Sequence, residues 1–153
     1  DGTGIQHTLA DEVDGQVSIF QGLEPAEIAR LIEMSPVINC GPDDKIISQD
    51  VADRTVFVVL DGAVEVHRDG AFVALLPRGS VFGEVAFLLG RERTADVVAA
   101  TEARVISLRE RALNELIASE SKIAARFLLN LARIVCLKLA EREEDDVPVL
   151  LNP

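Results

Sequence analysis

Apolar positions change their period along this chain, and the changes mark out its elements. Between 25 and 34 they recur at helical spacing. Ile28, Leu31 and Ile32 share one face, Pro25 suits a first turn, and Glu24 and Glu27 complement the helix dipole. From 37 to 108 the pattern becomes short β-branched runs separated by turn signals at Gly41-Pro42, Asp61-Gly62, Asp69-Gly70 and Pro77-Arg78-Gly79. These runs predict strands at 37–40, 45–48, 56–60, 63–67, 72–76, 95–100 and 104–108, with one short helix interrupting the series after Gly83. Ser107 followed three residues later by Glu110 carries a capping-box signature and predicts a helix to about 118. A last helix is predicted from after Ser119 to about 142.

The fold class that follows is mainly β with flanking α-helices. Its expected form is an antiparallel β-roll (a jelly-roll or double-stranded β-helix barrel) over about 37–108, with a short N-terminal helix, the interrupting helix and two C-terminal helices over about 108–142. A loosely held lead-in is expected at 1–16 and an acidic tail at 143–153, which leaves 17–142 as the domain. On the last helix Ile123, Phe127, Leu128, Leu131, Ile134, Val135, Leu137 and Leu139 cover more than one face. One face can pack on the barrel. The surplus face suits a homodimer seam or an effector domain.

Composition narrows the functional classes. At 153 residues and 48% hydrophobic, the chain can bury one core and is short for two domains. A net charge of −11 argues against a nucleic-acid partner, whose binding draws on basic stripes. The stretch 127–139 is broken by Asn130, Arg133 and Lys138, so no spanning helix is expected, and the chain reads as soluble and cytoplasmic. Cys40 and Cys136 stand far apart and read as small core residues in a reducing compartment. The chain begins at Asp1 without an initiator methionine, as an excised piece of a longer protein would. His7 and His67 are too few and too scattered for a metal site, and neither Ser80 nor Cys136 has a histidine at a suggestive spacing. Neither catalysis nor a metal is expected.

The chemistry concentrates at 82–97. Gly83 lets backbone approach a ligand, the residues 84–89 form a short helix with unpaired first amides, and Arg93 adds a planar fork of donors. A phosphate is the natural guest, and Glu84 beside it calls for a hydroxyl donor such as a ribose. Taken singly, Glu84 reads first as a dipole-complementing acid and Arg93 first as a solvated surface charge, each ahead of a ligand role.

Phe82-Gly83-Glu84-Val85-Ala86, with Arg93-Thr94-Ala95 following nine residues after the glutamate, resembles the phosphate-binding cassette of cyclic nucleotide-binding domains, as in catabolite activator proteins and protein kinase A regulatory subunits. Residues 57–66, a strand, glycine turn and strand, extend the resemblance, which covers about 17–141. It implies a ligand, cAMP or cGMP, with no other cofactor. It also implies that Glu84 holds the ribose 2′-hydroxyl, that Arg93 holds the cyclic phosphate, and that the backbone of Gly83, Val85, Ala86, Thr94 and Ala95 completes the cradle. Thr94 leaves the base open, with cAMP the favoured of the two. Val66, Val73 and Leu76 are the implied base contacts, though each also suits the core. The family usually has glycine where Asp50 stands, and aspartate tolerates the left-handed backbone required there. The function implied is a sensor that relays occupancy through its C-terminal helices. The alternative is a ligand-free module of the same fold used for dimerisation or docking.

Overall fold

The computed structural model describes residues 18–144. In chain order these form α1 (Pro25–Glu33), β1 (Val37–Cys40), β2 (Lys45–Ile47), β3 (Thr55–Asp61), β4 (Val64–Arg68), β5 (Ala71–Leu76), β6 (Val81–Phe82), α2 (Glu84–Leu89), β7 (Asp96–Ala99), β8 (Ala103–Arg109), α3 (Glu110–Ser119) and α4 (Ser121–Glu144). The lead-in, His7 and the tail beyond Glu144 lie outside the described residues. No helix among those described is long and apolar enough to cross a membrane. The described residues divide into two units, one of 34–110 and one of 18–33 with 111–144.

The first unit is the expected antiparallel roll. Its strands pair as two four-stranded sheets, β1-β8-β3-β6 and β2-β7-β4-β5, with every pairing antiparallel. β3 is buried from Thr55 to Leu60 and so reads as a continuous apolar run. β7 is half-covered and alternates, with Val97 and Ala99 buried and Asp96 and Val98 partly exposed, while β4 buries Val64 and keeps its other residues partly exposed. Ile47, Phe57, Val59, Val64, Phe82, Val97 and Val105 form one core cluster, and Cys40, Ala99 and Ala103 a second. Asp69 (φ 52°) and Gly70 (φ 80°) join β4 to β5 with two left-handed residues, the geometry a tight hairpin needs and an Asp-Gly pair supplies. Asp50 takes φ 69°, as its place in the expected glycine turn requires.

In the second unit, α1 starts with Glu27 accepting a hydrogen bond from the Glu24 amide, and it buries Ile28 and Leu31. The fully buried Asn130 of α4 donates to the carbonyls of Ile19 and Gln21, which ties the segment before α1 to the last helix. α4 buries Ile123, Ala124, Phe127 and Leu131, whereas beyond Leu131 none of its side chains described is buried.

Two expectations are corrected here. The capping box at Ser107 does not form. Ser107 is a β8 residue paired with Phe57, its hydroxyl donates to the Pro36 carbonyl, and α3 starts at Glu110, whose amide donates to the Arg54 carbonyl. A long-range ladder thus overrides a local cap. Cys136 is exposed on α4, and only Cys40 is a core thiol.

Candidate functional site

β6 delivers the chain into the site. Phe82 lies in the core, its ring stacked on Phe57 at 5.1 Å between centroids, so it supports the segment from beneath. The backbone then turns left-handed at Gly83 (φ 81°, ψ 12°), which caps α2. A Cβ at Gly83 would stand 2.8 Å from Arg93 Nη1 and 3.0 Å from the Thr55 carbonyl oxygen, so glycine is required for close approach as well as for φ. Glu84, the first residue of α2, is buried where the helix dipole favours a carboxylate.

Arg93 is held by a short antiparallel zip. Its amide donates to the Val51 carbonyl at 2.9 Å, its carbonyl accepts the Asp50 amide at 2.8 Å, and Ala52 bridges Glu92. The side chain turns inward and is only 3% exposed, which removes the solvated-charge reading. Nη1 donates to the Gly83 carbonyl at 3.0 Å, and Nη2 donates to the Thr55 carbonyl at 2.7 Å. Nη2 also lies 3.2 Å from Asp53 Oδ2, and the guanidinium stands over Phe57 at 5.7 Å from the ring centroid. Nε is buried with no hydrogen-bond partner in the protein. A buried cation facing a half-exposed carboxylate, with a donor to spare, is suited to an anion.

The structure brings Gly83, the start of α2 and Arg93 together. Ala86 and Ala95 are buried, Val85 and Thr94 are partly exposed, and the Thr94 carbonyl accepts Arg68 Nε at 3.2 Å. Val66 and Leu76 pack against the larger core cluster, but Val73 is 45% exposed and does not join them. Val73 stands three residues from Leu76 and therefore on the opposite face of β5, and the pairing, Val66 opposite Ala74 and then His67 opposite Phe72, passes over it. Asp53, Thr55 and Phe57 were not singled out by sequence as partners of Arg93. They lie about 40 positions away, and the only available signal was that a buried arginine demands an acid.

Residues 37–120 match the family model described as the cyclic nucleotide-binding domain. The chain is 27% identical over 128 residues to the CRP-like cAMP-activated global transcriptional regulator of Mycobacterium tuberculosis, covering 80% of this chain and 57% of that protein. It is 29% identical over 119 residues to the cAMP-dependent protein kinase regulatory subunit of Mycosarcoma maydis, covering 72% of this chain and 23% of that one. It therefore spans little more than half the length of the first relative and about a quarter of the second. Among solved structures, a cyclic nucleotide-binding domain from Methylobacillus flagellatus superposes with a TM-score of 0.81 at 18% identity, covering 99% of this chain and 88% of that one. The Thermus thermophilus catabolite activator protein superposes with a TM-score of 0.68 at 27% identity, covering 83% of this chain and 61% of that one.

Proposed function

Because the chain belongs to the cyclic nucleotide-binding domain family, we propose that it is a sensor of cAMP or cGMP whose occupancy is relayed through the C-terminal helices to a partner or a fused effector. The observation that carries this reading is Arg93, a buried guanidinium set against the left-handed Gly83 with Nε unpartnered in the protein. In this reading Arg93 takes the cyclic phosphate, and the backbone amides of Gly83, Val85, Ala86, Thr94 and Ala95 supply further donors. Glu84 accepts from the ribose 2′-hydroxyl. The base rests near Val66 and Leu76, which already face the apolar interior of the roll. The chemistry is recognition, and none of these roles breaks or forms a covalent bond.

Two named relatives, the transcriptional regulator and the kinase regulatory subunit, carry the words cAMP-activated and cAMP-dependent. They support a regulatory role and favour cAMP, while Thr94 keeps cGMP in contention through a hydroxyl able to meet a guanine amino group. Apolar residues that α4 leaves unburied, Leu129 at 43% and Leu137 at 38% exposure, support a second copy or an effector domain as the receiver of the signal.

Calorimetric titration of the chain with cAMP and with cGMP, beside Arg93→Ala, tests the reading. Saturable binding that the substitution abolishes is the expected result, and the tighter nucleotide identifies the base. Full affinity in Arg93→Ala overturns the phosphate role. No heat with either nucleotide favours the ligand-free docking module.

A further inference from the structure

Three consecutive residues where the chain enters β3, Asp53, Arg54 and Thr55, divide their contacts between two places. Asp53 and Thr55 face Arg93: Asp53 Oδ2 and the Thr55 carbonyl both meet Nη2, and Thr55 Oγ1 donates to Asp53 Oδ1 at 2.8 Å. Arg54 reaches instead toward Glu110, the residue where β8 passes into α3. Its Nη1 is 2.7 Å from Glu110 Oε2, and its carbonyl accepts the Glu110 amide at 3.0 Å. Side chain and backbone of Arg54 thus grip the same residue.

The guanidinium of Arg54 also lies against the end of α2. Gly90 caps that helix with φ 68°, and its amide donates to the Ala86 carbonyl. A Cβ there would overlap Arg54 Nη2 and stand 2.6 Å from its Cζ and 2.8 Å from its Nε. The glycine therefore gives the arginine its seat. One end of α2 adjoins Arg93 through Gly83, and the other adjoins Arg54 through Gly90.

We infer that Arg54 is a positioning residue that couples the anion site to the start of α3, resting on the reading of Arg93 as the anion ligand. A phosphate that recruits Arg93 competes with Asp53 and Thr55 for its donors. Arg54 sits between those two in the chain and moves with them. Its fork, seated on the Gly90 turn, passes the displacement to Glu110. The Arg54 and Glu110 side chains are 51% and 38% exposed, so their ion pair adds little to stability, and its value lies in what it connects.

Amide hydrogen exchange over residues 110–116 tests this, with cAMP and cGMP added to wild type, Arg54→Ala and Glu110→Gln, the last removing the same pair from its other end. Nucleotide is expected to change exchange there in wild type. In both variants affinity should stay within about threefold of wild type, as fits a half-exposed pair. The response at 83–95 should persist while the response at 110–116 is lost. A retained response at 110–116 in either variant with nucleotide bound overturns the inference. If wild type binds neither nucleotide, the reading of Arg93 has failed, and a ligand-free comparison decides the coupling. Asp53→Asn alters the partners of Arg93 directly. It should shift exchange at 110–116 in the single variant but not in Asp53→Asn/Arg54→Ala. No shift in the single variant, or an equal shift in both, overturns the coupling.

Discussion

A guanidinium withdrawn from water is tolerable only where its donors are met, and the surroundings of Arg93 meet part of that demand with backbone. The Gly83 and Thr55 carbonyls accept from it, and both depend on an unobstructed Gly83. Gly83→Ala adds a methyl into that space and forces alanine to φ 81°, so a loss of about 1–2 kcal/mol from the left-handed backbone is a lower bound. Urea denaturation should show a lower midpoint with an unchanged slope, and an unchanged midpoint would mean that the crowding around Arg93 is not as described. The two thiols differ in a similarly local way. Burial, and secondarily the Asp44 carboxylate, pushes the Cys40 thiol up, whereas Cys136 lies exposed on α4. A thiol-reactive dye should therefore titrate Cys136 alone in the native protein and both cysteines in denaturant. Rapid reaction of both in the native state would contradict the burial of Cys40.

At the scale of elements, β7 shows how a strand end can be pinned by charge. Asp96 opens the strand opposite His67, accepts the Gln49 amide at 2.7 Å, and lies 3.5 Å from Lys45 Nζ. The Gln49 hydrogen bond chiefly, with help from Lys45, holds its carboxyl below the usual aspartate range. A depressed value means that the unfolded chain binds this proton more readily than the folded one. The stabilising contribution is therefore complete above the unfolded value, about pH 4, and drains away as pH falls through the lower folded value. Asp96→Asn should flatten the acid limb of a stability-against-pH curve relative to wild type, and superimposable acid limbs would exclude the linkage. Much of this element plan was legible in the sequence. Asp69-Gly70 announces its hairpin because few residue pairs accept two left-handed conformations, and the spacing of Gly83, Glu84 and Arg93 picks out residues that the fold brings together. What was not legible arises where distant pairing outvotes local signals. The β8 ladder takes Ser107 from its cap, and Asp53 meets Arg93 only through the folded roll. Local spacing carries none of that information.

For the whole molecule, charge decides how an anionic ligand arrives and how it is held, and the two pull in opposite directions. A cyclic nucleotide carries one negative charge, and the chain carries a net −11, so at long range the protein repels its proposed ligand. In the proposed mode the contact belongs to one buried cation, Arg93, at 3% exposure, where mobile ions have little access. Raising ionic strength from about 0.01 M to 0.1 M contracts the Debye length from about 30 Å to about 10 Å, which screens the repulsion before it affects the buried pair. The association rate measured by stopped flow should therefore rise over that interval, while the dissociation rate changes little and affinity improves modestly. An ordinary anion site built from exposed lysines and arginines behaves in the reverse sense, losing affinity steadily with salt. A steep loss of affinity for cAMP or cGMP on adding salt would thus relocate the ligand from the cassette to surface cations, whatever the titration with Arg93→Ala had suggested.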